Sequence, residues 1–354
     1  MENRNTRRSF LKHFLSLLAF IAGSTYSVKK NSGTLIGNFG IGAKKLNSMA
    51  APRKRIKKIG VEEHFGRGSV QIEERLREMD AAGIDMQVLS EDLAADDKSS
   101  PEEAKAWAIE QNNTFARVID KYPDRFSAFA SVALHEPEEA ARELERAVTQ
   151  LGLKGTLIGG KRTYLDDPEY GVFLETAERL DVPIYVHPST FKLEPYLKYP
   201  ILSRSMWGFA AEAGLHAMRM IIGGIFEKYP RLQIILGHMG ENIPFQLWRM
   251  DNRWMEEKDG GRWGTFGQDP SSLLLKKKPS EYFKSNFYIT TSGMFWEPAL
   301  MLAHTALGPD KILFAVDYNA ESSMAAVKFI ESVNLSEADK EKICHGNTER
   351  LLKL

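Results

Sequence analysis

From Arg55 to the C-terminus, short apolar runs alternate with amphipathic helical patterns, eight of each, and few architectures accept that order. The runs cover 56–62, 84–90, 126–132, 155–159, 183–187, 232–237, 287–291 and 312–316. Several are largely apolar rather than strictly alternating, as expected of strands buried on both faces in a parallel sheet. Between them, apolar residues recur at three- and four-residue spacing, as in 101–122, 138–151, 206–229 and 298–307. Helix stops follow at Gly83, Tyr122-Pro123 and Tyr229-Pro230. Strict alternation implies a parallel sheet, and eight repeats within one domain's length imply an α/β fold of the closed (β/α)8 TIM-barrel type over 56–354.

In such a barrel the chemistry sits at the C-terminal strand ends, so the residue on which each run stops carries the information. Strand one ends in Glu62-Glu63-His64, strand five in His187, strand six in Gly237-His238 with Glu241 just beyond, and strand eight in Asp317. Residues two apart on a strand share a face, so Glu62 and His64 point into the barrel and Glu63 turns outward. Taken singly, each has an ordinary structural reading: a turn, an ion pair or a strand stop. Together they form a mixed nitrogen and oxygen set suited to one divalent transition metal with positions open for substrate.

Composition narrows the partners. Acidic and basic residues balance at 47 each, which gives no basis for a polyanionic partner such as nucleic acid. At 43% apolar residues the chain can bury a large core. The single cysteine, Cys344, falls in a late helical pattern and is expected to be a buried small hydrophobe. At the start, Thr6-Arg7-Arg8-Ser9-Phe10-Leu11-Lys12, the apolar run 14–22 and the small residues after it resemble a twin-arginine export signal over 1–27. A Gly-, Ser-, Asn- and Lys-rich linker over 28–55 follows, so the expected location is the periplasm. The apolar run is too short for a stable membrane span in the mature protein.

The stretches VEEHF at Val61, VPIYVHPS at Val182, FEKYPRLQIILGHMGENIPFQLWRMDNR, NFYITTSG at Asn286, KILFAVDY at Lys311 and the closing GNTERLLKL resemble the decarboxylase branch of the amidohydrolase superfamily. That group contains the γ-resorcylate, 2,3-dihydroxybenzoate, 5-carboxyvanillate and aminocarboxymuconate semialdehyde decarboxylases. The resemblance covers residues 56–354 and implies metal ligands Glu62, His64, His187 and Asp317, with manganese or zinc as the ion. It also implies a hydrogen-bonded His238–Glu241 pair beside a small aromatic acid bearing an ortho hydroxyl. Asp317 is the first choice as proton donor and His238 the second. Phe65, Trp207, Tyr318 and His238 are candidates for substrate contact, and His216 and Arg219 match a recurrent stretch of the group. Relatives usually form dimers or tetramers, so a homo-oligomer is expected. Tyr318-Asn319-Ala320-Glu321 departs from the group's usual aromatic and proline pattern, as does the acidic stretch 91–97.

Two other readings fit the same barrel. One is hydrolysis of a lactone or amide, against which stands Glu-x-His on strand one where the hydrolytic branch carries His-x-His. The other is a binding protein without catalysis, which the loss of a ligand would favour; none of the four is lost.

Overall fold

The computed structural model describes residues 55–65, 72–91, 100–159, 164–189, 194–258 and 275–354. The export signal, nearly all of the linker, most of the acidic stretch 91–97 and most of the insert 257–279 lie outside the described residues. One compact unit spans Lys54–Leu354.

Eight parallel strands appear in the expected order: β1 (Ile59–His64), β2 (Met86–Ser90), β3 (Phe126–Ala128), β4 (Thr156–Ile158), β5 (Ile184–Val186), β6 (Ile234–Leu236), β7 (Phe287–Thr290) and β8 (Ile312–Leu313). The longer helices between and after them are α1 (Ile72–Ala82), α2 (Pro101–Lys121), α3 (Pro137–Thr149), α4 (Gly171–Leu180), α5 (Gly208–Ile222), α6 (Ile243–Lys258), α7 (Pro279–Asn286), α8 (Glu297–Leu307), α9 (Ser323–Ser332) and α10 (Asn347–Leu352). Strands β1 to β3 form one ladder and β4 to β8 another. Parallel bridges Ala130–Thr156 and Glu63–Tyr318 join the two and close the barrel.

The barrel interior is filled by Ile59, Val61, Val88, Phe129, Leu157, Tyr185, Ile235, Tyr288 and Leu313, which come from seven strands and from the residue just after β3. A larger apolar shell packs the helices onto the outside of the strands. Val61 in the interior is unexpected, because simple alternation would put it on the face opposite Glu62. The cause is a register shift between Gly60 and Glu63 in the β1–β2 ladder. Such a bulge resets the alternation, so Ile59 and Val61 fill the barrel while Glu62 and His64 still face its mouth.

The helix expected over 206–229 is broken: α5 ends at Ile222 and a short helix starts at Ile225. Gly224 between them takes a left-handed conformation, φ 76°, that only glycine adopts freely. Cys344 is buried and unbonded, and burial pushes its thiol up to about 12, so it behaves as a core residue.

Candidate active site

Glu62, His64 and His187 converge at the barrel mouth, each offering a donor atom within 4.8 Å of the others. The two rings stand edge to face, with centroids 4.8 Å apart. Neighbours fix each donor. The Tyr185 hydroxyl donates to Glu62 Oε2, and Ser90 Oγ lies 3.2 Å from His64 Nδ1. Glu62 Oε1 is fully buried without a hydrogen-bond partner among the described residues, its nearest cationic candidate being His187 Nε2 at 3.7 Å. Burial pushes the Glu62 carboxyl above its usual range, with His238 and His64 pulling the other way and Asp317 adding to the rise. An unmet carboxylate oxygen beside two imidazoles is the donor set a divalent cation fits.

Asp317 stands next to this cluster. Its Oδ1 lies 3.5 Å from His64 Nε2 and its Oδ2 3.5 Å from His238 Nε2. Desolvation works to raise its pKa, but the hydrogen bonds from His238 and His64 outweigh that and hold the carboxyl well below the ordinary range. His238 Nδ1 meets Glu241 Oε1 at 2.6 Å. Desolvation works against the His238 imidazolium as well, yet Glu241, Glu62 and Asp317 together hold its pKa well above that of an ordinary histidine. The electrostatics of this part of the site favour a proton on His238 over one on Asp317.

The backbone here is unusual. His238, Met239, Glu241, Asn242 and Asp317 all have positive φ, between 47° and 72°. Non-glycine residues in that region cost on the order of 1 kcal/mol or more each and persist where the surroundings over-determine them. Ser292 Oγ accepts from the His238 amide at 3.2 Å. Gly293 completes the floor, since a Cβ there would lie 3.0 Å from His238 Cδ2 and 3.4 Å from Asp317 Oδ2.

The structure thus brings Glu62, His64, His187, His238, Glu241 and Asp317 to one mouth. Three residues picked from the sequence for substrate contact have the following neighbours. Phe65 packs edge-on against Phe115 of α2, centroids 5.4 Å apart. Trp207 is 55% exposed and lines a groove of about 750 Å3 between α5 and α6, which reaches Glu241 and Asn242. The Tyr318 phenol donates to Glu78 of α1 at 2.7 Å. His216 is buried and accepts the Leu165 amide at 3.0 Å, while Arg219 pairs with Asp166 and Asp167. Both brace the segment after β4, and His216 also lines a small cavity with His187. Tyr185, Ser90 and Ser292 were not anticipated. Tyr185 had a signal, because it precedes His187 by two residues on one strand and so shares its face.

The sequence profile described as Amidohydrolase matches residues 61–354. This chain belongs to the amidohydrolase family. It is 38% identical over 294 residues to γ-resorcylate decarboxylase of a Polaromonas species, covering 79% of this chain and 86% of that one. The Rhizobium sp. enzyme of the same name is 37% identical over 295 residues, with the same 79% and 86% coverage. Among solved structures, a dihydroxybenzoic acid decarboxylase from Polaromonas, with bound manganese and the inhibitor 2-nitroresorcinol, superposes with a TM-score of 0.76 at 35% identity. That match covers 85% of this chain and 98% of the other. The 5-carboxyvanillate decarboxylase of Novosphingobium aromaticivorans, also with manganese, gives 0.77 at 30% identity, covering 84% and 96%.

Proposed function

We propose that this protein is a metal-dependent, non-oxidative decarboxylase of ortho-hydroxybenzoates, a carbon–carbon lyase using one manganese ion. The observation that carries this reading is the Glu62–His64–His187 cluster, with the unmet Glu62 oxygen, standing beside a proton-holding His238–Glu241 pair. Glu62, His64 and His187 would hold the ion, with Asp317 at its edge. When bound, the ion supplies Lewis-acid stabilisation of negative charge on the substrate's phenolic and carboxylate oxygens.

The chain's own residues handle the proton. His238 holds it against Glu241 and faces Asp317 across 3.5 Å. Transfer from Nε2 to Oδ2 gives Asp317 the proton it lacks at rest, and Asp317 delivers it to the ring carbon bearing the carboxylate. The bond to the carboxylate then breaks, its electron pair restores the aromatic ring, and carbon dioxide leaves. Proton transfer of this kind contributes about 10²–10⁴-fold.

Two further elements belong to the proposal. Export to the periplasm by the twin-arginine route rests on Arg7-Arg8 and the apolar run after them. No described helix is long and apolar enough to cross a membrane. A homo-oligomer is supported by the α5–α6 face, where Trp207, Leu215, Phe245 and Trp248 are 55%, 42%, 73% and 76% exposed and a second copy would cover them.

The test is carbon dioxide release by the manganese-loaded protein from 2,6-dihydroxybenzoate and from 4-hydroxybenzoate. Release from the first alone is expected. Equal rates on both would remove the ortho-hydroxyl requirement, and hydrolysis of a lactone panel without any decarboxylation would overturn the reading.

A further inference from the structure

The outward face of β1 carries an ionic assembly that the chemistry above does not use. Glu63 and Gln87 are fully buried and Arg75 of α1 is 1% exposed. Gln87 Nε2 donates to Glu63 Oε2 at 3.0 Å, and Arg75 Nε donates to Gln87 Oε1 at 2.6 Å. Arg75 Nη1 then donates at 2.7 Å to the backbone carbonyl of His64. The guanidinium lies 4.1 Å from the centre of the Tyr318 ring, one residue after Asp317. A buried carboxylate and guanidinium are costly to desolvate and weak evidence for stability alone, so their placement needs another reason.

The placement is at the barrel seam. Strands β1 and β8 meet through Val61 N to Phe314 O, Asp317 N to Glu62 O and His64 N to Tyr318 O, at 3.2, 3.0 and 3.0 Å. Between these, the Val316 amide donates at 2.9 Å to the side chain of Glu63, where a continuous ladder would use a strand carbonyl. Gly60 makes that possible, because a Cβ there would run into the Glu63 carboxylate, with Cδ only 2.8 Å away. The register shift of β1 lies over the same residues. Glu63 thus occupies the bulge that turns Glu62 and His64 to the mouth, and it holds the strand that ends in Asp317.

We propose that Glu63 and Arg75, joined through Gln87, are positioning residues that fix the β1 bulge and the β1–β8 seam so that Glu62 and His64 meet the metal ion with Asp317 at its edge. The inference rests on the metal site of the proposed function. Glu63→Gln keeps an acceptor for Val316 but sets an amide nitrogen against the Gln87 Nε2 donor, which breaks the link to Arg75. Groups behind a metal's ligands typically contribute 10–100-fold in affinity.

The experiment is manganese affinity by chelator competition, with the Mn(II) paramagnetic resonance spectrum and the thermal midpoint of the metal-free protein, on wild type, Glu63→Gln, Glu63→Leu/Arg75→Met and Lys58→Met. Lys58 is buried at the opposite end of β1, paired with Glu331, and serves as a control for stability alone. Expected are at least tenfold weaker manganese binding and an altered spectrum in Glu63→Gln. The Leu/Met pair leaves no lone buried charge but strips Gln87, the Val316 amide and the His64 carbonyl of their partners, so it should lose midpoint and also bind weakly. Lys58→Met should lose midpoint without losing affinity. Wild-type affinity in the Leu/Met protein, or weakening in Lys58→Met as large as in Glu63→Gln, would overturn the inference. Absence of manganese binding in wild type would instead overturn the metal site itself.

Discussion

Replacing Glu241 by Gln tests the proton-holding pair with little change of shape. Glu241 is 4% exposed, and its carboxylate receives the His238 Nδ1 hydrogen bond at 2.6 Å. The amide oxygen can still accept that bond, so what disappears is the charge. A hydrogen bond to a charged group contributes about 1.5–3 kcal/mol and a neutral one about 0.5–1.5 kcal/mol. The difference, ~1–1.5 kcal/mol, corresponds to about a tenfold fall in turnover. The sign on the pH axis follows from the raised value of His238. Its proton is present below that value and lost as pH rises through it, so activity should fall on the alkaline side, and Glu241→Gln should bring that fall to lower pH. The assay is kcat and kcat/KM against pH on the manganese-loaded protein, with metal content measured alongside. An unmoved alkaline limb at unchanged metal content would refute the pairing of Glu241 with a catalytic proton.

Four other outcomes follow from the same geometry. Glu62→Ala should take bound manganese from about one per chain to near zero, read by elemental analysis, because it deletes the most buried donor of the cluster. His238→Asn should lower kcat by about 10²–10⁴-fold with the metal retained, separating proton handling from metal binding. Treatment with a chelator should end turnover, and added manganese should restore it. Burial, reinforced by Arg219, lowers His216 to about 3, so its neutral form stabilises the fold above the ordinary histidine value and that contribution is lost as pH falls from about 6.5 toward 3. The slope is about 1.4 kcal/mol per pH unit, and His216→Gln, which keeps an acceptor for Leu165, should flatten the denaturation-derived stability curve there.

The barrel was legible because each strand is buried on both sides. That leaves continuous apolar runs, such as Ile312 to Val316, that no helix period explains. The ligand positions were legible for a related reason: polar residues that interrupt such runs at their C-terminal ends have few places to point. The β1 bulge was not legible. Alternation correctly placed Glu62 and His64 together, but it gave Glu63 no task, and in the structure that outward side chain is fully buried and bonded to the seam of the barrel. Strand ladders are also shorter than the apolar runs. After Leu313 the amides of Phe314, Ala315 and Val316 go to the Ile343 carbonyl, the Thr291 hydroxyl and the Glu63 carboxyl, so the β8 ladder stops although the apolar pattern continues. Side chains after the ligands were the least legible. Phe65 and Tyr318 adjoin His64 and Asp317 in sequence, but their partners Phe115 and Glu78 lie on neighbouring helices that sequence spacing does not point to.

The most direct test of the central claim is a paired measurement on the purified protein: manganese per chain, and carbon dioxide released from 2,6-dihydroxybenzoate before and after metal removal. About one ion per chain, with release that stops on removal and returns on reloading, is the expected result. Release that continues after the metal is gone would contradict the assignment of Glu62, His64 and His187.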